Sequence, residues 1–468
     1  MTIKKIQKIS VVLLLLIATT TNAQIQSEYR FSLQQAVDFA KKNNVLVKNA
    51  LLNVQIQQQT NRSITAAALP SLSGNISTTA YEDIPVQVIP DFISPAVYGV
   101  LTNENVQNGS TGSTIKAPNK YGAIAAKFGT RNTATGSLQF QQLLFDGQVF
   151  VGLKARDASI QFQNKAVEIT EESIKVNVYK IYYQLVVAKT QIELIDANIN
   201  RLQKLQHDVT EIYKNGFAEK LDVDKLEVSL NNLQTEKRKV LNSIDFGYIA
   251  LKTLIGMPAK ATLILTDKIT DTEIKSDALV DSANYDDRKE FQYLQIAKKL
   301  GEYNIKRYQL SYLPTVALMG VYAKQAQRNK FTFFEKGDWF ATSYLGLNIS
   351  IPIFSGFSKD AKVNQSKLEL QQTVNNLDNL KLNIDAETEQ AKLKFKSAIE
   401  TIDIQKRNML LAEKVYNQTK KKFETGTGSN TEITTAETEL KTAQTNYVSA
   451  LYDAIIAKVD YLKAIGKL

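Results

Sequence analysis

At 468 residues the chain has room for two or three ordinary domains. Its 44% hydrophobic and 22% charged residues exclude both a disordered chain and a polytopic helical membrane protein. The formal charge of +10 is spread along the chain rather than gathered in one run, which reads as solvated faces and not as a nucleic-acid surface.

The N-terminus carries Lys4, Lys5 and Lys8, then an apolar run from Val11 to Ala18, then Thr21-Asn22-Ala23. A positive stretch, a short apolar run and a small-residue cleavage site make a signal peptide over residues 1–23. The run is too short for a spanning helix, which needs about 18 or more apolar residues, and none of that length follows. The chain has no cysteine. An exported chain without disulfides suits a bacterial envelope, and it lacks the cysteine a lipoprotein needs. Any membrane location has to come from β-strands, whose hydropathy signal is weak.

Residues 31–68 read as helix, with Ser32 as its cap and Leu33, Ala36, Val37 and Ala40 at helical spacing. After Pro70, residues 71–82 alternate: Leu72, Gly74, Ile76 and Thr78 interleave with Ser73, Asn75 and Ser77. That is period two, a strand with one polar face. From Glu82 to about Gly136 four of the chain's eight prolines sit among Asn, Gly, Ser and Thr. This reads as a long irregular loop with room for short strands, at home on the outward end of a membrane barrel.

A second strand, 137–145, leads through Leu144-Phe145-Asp146-Gly147 into a helical hairpin over 147–256. Ile174, Val178, Ile181, Leu185, Ile192, Ile195, Ile199, Leu202, Val209 and Ile212 mark a coiled-coil-like seam along it. About 63 residues at 1.5 Å each make a rod of roughly 95 Å. The hairpin breaks at Lys214-Asn215-Gly216-Phe217 and closes at Gly256, and Pro258 ends the half. Residues 259–285 are a polar connector.

The second half, 286–468, repeats the first. Helix leads to Leu313-Pro314, strands follow at 315–325 and 343–354, and Pro352-Ile353-Phe354-Ser355-Gly356 opens a second hairpin over 356–466. The same 40-residue spacing separates Gly216 from Gly256 and Gly426 from Gly466. Each half is helix, strand, loop, strand, long helix, break, helix. The fold expected is mainly α with membrane β-hairpins, built from repeats over 24–258 and 286–468.

Four strands cannot close a barrel, since the smallest closed barrels have eight, and an open sheet in lipid leaves backbone groups unpaired. Several copies therefore have to share one barrel, and thin-seamed rods have to pack side by side between copies. The result is a passive conduit. The runner-up is a secreted or envelope coiled-coil structural protein or adhesin without a pore.

At this point the chain resembles the TolC family of outer-membrane efflux channels. The marks are Leu33-Gln34-Gln35-Ala36-Val37 with Asn43-Asn44, Leu69-Pro70-Ser71-Leu72-Ser73, Leu144-Phe145-Asp146-Gly147, Pro352-Ile353-Phe354-Ser355-Gly356, and the turn Thr425-Gly426-Thr427. The resemblance covers essentially the whole mature chain. It implies a homotrimer with a twelve-strand barrel continued by a long α-helical barrel across the periplasm. It also implies a periplasmic adaptor (membrane fusion protein) at the tip and an inner-membrane pump, in drug efflux, metal efflux or type I secretion. Outer-membrane lipid is the remaining partner, and no cofactor or metal is expected.

Candidate working residues cluster at the breaks. Aligned on Gly216 and Gly426, Asp222 matches Glu432 and Glu227 matches Glu437. An acid just inside a helix start favours the helix dipole; alternatively these four ring the periplasmic aperture and select cations. Gly216 and Gly426 suit a left-handed turn. By resemblance, Gly216, Phe217, Ala218, Thr425, Gly426 and Thr427 are adaptor-contacting. Where a characterised channel of the family has an arginine latch two residues past the second turn glycine, this chain has Gly428. Phe333, Phe334, Trp339, Phe340 and Tyr344 are membrane-interface aromatics or a loop cluster packed on itself. The single histidine, His207, has no catalytic or metal-binding partner pattern around it, so no enzyme is expected.

Overall fold

The computed structural model describes residues 28–269, 274–275 and 284–468. The expected signal peptide lies outside the described residues. The chain divides into two compact units. One takes in the described residues up to Gln59, Asp157–Glu302 and Lys367–Leu468; the other is Thr60–Arg156 with Tyr303–Ser366.

The first half runs β1 (Glu28–Phe31), α1 (Leu33–Asn43), α2 (Val45–Ala66), β2 (Ser71–Ala80), β3 (Val86–Pro90), α3 (Ile93–Asn103), β4 (Ala123–Lys127), β5 (Asn132–Phe145), α4 (Gly147–Lys214) and α5 (Lys220–Ile255). The second runs β6 (Thr262–Leu265), α6 (Lys289–Leu310), β7 (Thr315–Arg328), β8 (Phe340–Ser350), α7 (Ser358–Glu424) and α8 (Asn430–Ala464).

Ser32 caps α1 through a capping box with Gln35. The helix expected over 31–68 is two helices, because Asn44 turns extended between them. Its Oδ1 accepts from the Leu46 amide at 2.7 Å and its Nδ2 donates to the Leu254 carbonyl at 2.7 Å. One side chain thus starts α2 and ties it to the end of α5. Period alone did not show this, because the apolar spacing continues across the break. The stretch read as a polar connector contains β6, which pairs in parallel with β1. Leu263 and Leu265 join Val37, Ala40 and Ile255 in the core.

In the helical unit α4, α5, α7 and α8 share one interior. Ile195, Ile199, Leu202 and Val209 of α4 pack with Leu226 and Leu230 of α5, Tyr416 of α7, and Ile433 and Leu440 of α8. Both long helices, at 68 and 67 residues, are about 100 Å long. The seam is filled within the chain itself, where sequence reasoning had assigned it to neighbouring copies. Apolar side chains on α7, among them Leu368, Leu382, Leu393 and Leu411, remain exposed.

The other unit holds a four-stranded antiparallel sheet ordered β2-β5-β7-β8. The halves meet in its middle, where β5 pairs with β7 from Asn132↔Arg328 to Phe145↔Val316. Directly paired residues share a face. Leu72, Ile76, Leu138, Phe140, Leu318, Tyr322, Leu345 and Leu347 therefore lie on one side. Ser73, Asn75, Ser77, Gln139, Gln141, Gln325, Thr342 and Asn348 lie on the other. Pro352 falls just beyond β8, where its missing amide costs no rung. The segment between β2 and β5 is more ordered than its proline content suggested: β3 and β4 form a hairpin of their own, and α3 lies between them.

Candidate functional site

The two hairpin breaks close with the same pair of backbone bonds. Gly216 has φ +80° and Gly426 φ +71°. The Gly216 amide donates to the Tyr213 carbonyl and Phe217 to Ile212; likewise Gly426 donates to Phe423 and Thr427 to Lys422. This is a Schellman closure, in which a left-handed residue lets two amides satisfy the last helical carbonyls. Nothing lies within 4 Å of where a Cβ on either glycine would sit, so conformation and not space selects glycine.

The side chains around these turns are not alike. Phe217 is 86% exposed, whereas Ala218 packs on the helical core. Thr425 and Thr427 are turned back on their own helix. The Thr425 hydroxyl donates to Lys421 and Lys422 carbonyls at 3.1 and 3.0 Å, and Thr427 Oγ1 donates to Lys422 at 3.2 Å. Gly428 lies against the same helix end, where a Cβ would come within 3.0 Å of the Phe423 amide nitrogen. An arginine there would have to push that helix end aside.

Asp222 and Glu432 occupy the third position of α5 and α8. Glu432 completes a capping box: its carboxylate accepts from the Ser429 amide at 3.3 Å while Ser429 Oγ accepts from the Glu432 amide at 3.2 Å. Glu219, at the start of α5, makes no side-chain cap. Asp222 is half-buried, with Lys225 Nζ 3.9 Å from its carboxylate.

The second pair diverges further. Glu227 is exposed, but Glu437 is 5% exposed. Arg201 Nε of α4 stands 3.6 Å from the Glu437 carboxylate, too far for a hydrogen bond, and neither carboxylate oxygen has a hydrogen-bond partner among the described residues. Burial pushes the Glu437 carboxyl above the ordinary glutamate range, and Arg201 only partly offsets this. The Arg201 guanidinium also lies over the Tyr416 ring, 5.5 Å from its centroid, and donates to Asn198. Asn198 in turn donates to Gln444 of α8 at 2.9 Å. Burial and the neighbouring Glu437 push the Tyr416 hydroxyl up to about 12. This polar knot of Arg201, Asn198, Tyr416, Glu437 and Gln444 was missed in the sequence. Its only visible sign was a glutamate on the apolar side of α8, between Ile433 and Leu440. A cleft of about 210 Å³ opens beside it, lined by Lys204, Asp208, Lys420 and Phe423.

The aromatics expected at a membrane interface divide. Phe333 is buried with Ala134 and Ala326 and lies under Arg328, 5.6 Å from its centroid. Trp339 stands 6.4 Å from it. Phe334 is 95% exposed. Phe340 and Tyr344 pair with Gln325 and Val321, which puts them on the sheet face that carries the polar residues. His207 is exposed. No group of three or more metal-ligating side chains occurs among the described residues, and no described helix is long and apolar enough to cross a membrane.

The fold, two hairpins of long helices with an amphipathic sheet contributed by both halves, is that of the outer-membrane efflux channels. The family model described as Outer membrane efflux protein matches residues 286–467. Outer membrane protein TolC of Vibrio cholerae is 18% identical over 337 residues, 71% of this chain and 77% of that one. The alkaline protease secretion protein AprF of Pseudomonas aeruginosa is 21% identical over 341 residues, 71% of this chain and 68% of that one. The crystal structure of the outer membrane protein VceC from Vibrio cholerae superposes with a TM-score of 0.68 at 15% identity, covering 93% of this chain and 96% of that one. The chain therefore carries an outer membrane efflux protein domain in its second half. It is similar in sequence to TolC over 71% of its length, and its fold matches that of an outer-membrane efflux channel over 93% of the chain.

Proposed function

We propose that this chain is the outer-membrane exit duct of an efflux or type I secretion system, passively conducting substrates delivered by a periplasmic adaptor and an inner-membrane pump. The observation that carries the reading is the sheet. Its four strands present one apolar and one polar face, and its outer strands β2 and β8 each have an edge unpaired among the described residues. In lipid an open edge is costly, and barrels abolish edges. Copies of the sheet joined edge to edge put Leu72, Leu345 and Leu347 toward lipid and Asn75, Gln139 and Thr342 toward a wet lumen. Strand direction permits this closure. β2 and β8 run antiparallel within the sheet, so β8 of one copy meets β2 of the next in the same antiparallel sense as every other pair. Three copies give twelve strands, within the range of known barrels.

Asp222, Glu432 and Glu227 are proposed to line the aperture at the hairpin turns, while Phe217 and the Gly216 and Gly426 turns face the adaptor. The duplicated Schellman turns support this by holding two similar loops at one end of the helical unit. Purified protein tests the reading in a planar bilayer, with its oligomeric mass measured in parallel. A trimer that conducts ions is expected; a monomer that passes no current overturns the duct.

A further inference from the structure

The segment between β2 and β5 carries a helix that is partly covered on one side, where Tyr98 stands 6.2 Å from Tyr121, and open on the other. None of the 11 residues of α3 is buried, and none of them is charged. Its exposed residues Ile93, Ala96, Val97 and Val100 fall at helical i, i+3, i+4 and i+7 spacing, with Val97 and Val100 at 49% and 63% exposure. The helix is nevertheless firmly started. Asp91 Oδ1 accepts from the Ile93 and Ser94 amides at 3.2 and 2.8 Å. A stiff apolar stripe with no cover is an unfinished interface.

Strand topology says where its cover is. Ala80, the last residue of β2, is level through Asn132 with Arg328 at the end of β7. The turn from β7 to β8 therefore stands at the same end of the sheet as the segment bearing α3. β2 and β8, however, are opposite edges. When β8 of one copy meets β2 of the next, the β7–β8 turn of the first lies beside the α3 segment of the second. That turn bears Phe331 and Phe334, 60% and 95% exposed. The turn's own charges balance, Lys330 and Lys336 against Glu335 and Asp338, so what it offers a neighbour is its apolar side chains.

Resting on the shared-barrel reading above, we propose that the apolar stripe of α3 docks on the Phe331–Phe334 surface of the neighbouring copy, forming a belt that clasps the subunits at the rim of the barrel.

The chain has no native cysteine, so introduced thiols report cleanly. Two differently tagged versions, V97C in one and F334C in the other, are co-expressed, purified in detergent and treated with a short bismaleimide; V100C with F331C is the second pair. A seam control sets N75C in one version against T342C, G346C or N348C in the other. The expected result is a product carrying both tags from an α3 pair as well as from the seam control. Seam product without either α3 product overturns the belt and leaves the barrel standing. Neither product overturns both. A cross-link that forms only when V97C and F334C share one chain also overturns it, because α3 then folds onto its own turn.

Discussion

Glu437 shows how far one residue can depart from its repeat partner. Position predicted it as the twin of Glu227, yet it is buried against Arg201 while Glu227 meets solvent. Its carboxyl titrates above the ordinary glutamate range because burial disfavours the charge. The folded chain thus binds this proton more tightly than the unfolded chain does. The corresponding stability is fully present below the unfolded value of about 4.3 and is lost as pH rises through the raised folded value. E437Q removes this component, so its melting temperature is expected to change less across that window than the parent's. Arg201 is what makes the ionised form tolerable. R201A strands a buried carboxylate and is expected to cost about 3 kcal/mol at neutral pH, read by thermal melts of the two variants side by side. An R201A protein as stable as the parent would remove the pair from the account.

At the scale of elements the chain repeats a single device four times. Gly216, Gly256, Gly426 and Gly466 all close helices in the left-handed conformation with paired backbone bonds. Their surroundings differ. A Cβ at Gly216 meets nothing within 4 Å, whereas one at Gly256 would stand 2.6 Å from the Asn43 carbonyl oxygen and one at Gly466 2.7 Å from that of Asp287. G216A is expected to cost about 1–2 kcal/mol from conformation alone, and G256A distinctly more, because the turn at Asn43 also has to move. Denaturant midpoints of the two variants check the order. These glycines were legible in the sequence because the 40-residue spacing put them on the page twice. The same is true of the strands, whose alternation of Leu, Ile and Gly with Ser and Asn survived in the register. The break at Asn44 and the strand β6 were not legible. Each depends on a partner more than 200 residues away, Leu254 for Asn44 and Glu28–Phe31 for Thr262–Leu265, and local periodicity carries no information about such partners.

For the whole molecule, the duplication determines what the turns can do together. Asp222 and Glu432 stand at the same helical position after equivalent turns, so copies arranged about one axis repeat both acids around whatever opening the turns surround. The sequence pairs these two acids by position and does not show which of them has a capping duty. Glu432 is already engaged in capping α8, and only the folded chain shows Ser429 opposite it. That duty dictates how the aperture has to be tested. Glutamine keeps the reciprocal bonds of a capping box while removing the charge, so E432Q separates the pore from the cap, and D222N does the same where no cap is made. An acidic ring concentrates cations at a narrow mouth and binds multivalent ones strongly. In bilayer recordings the D222N/E432Q double variant is expected to lose most of the preference for potassium over chloride and to need roughly tenfold more trivalent cation for half-block, a change of about 1.4 kcal/mol in binding. Melting behaviour should stay close to the parent's. Unchanged selectivity in a normally folded double variant would take both acids out of the conducting path and leave them as helix-start charges alone.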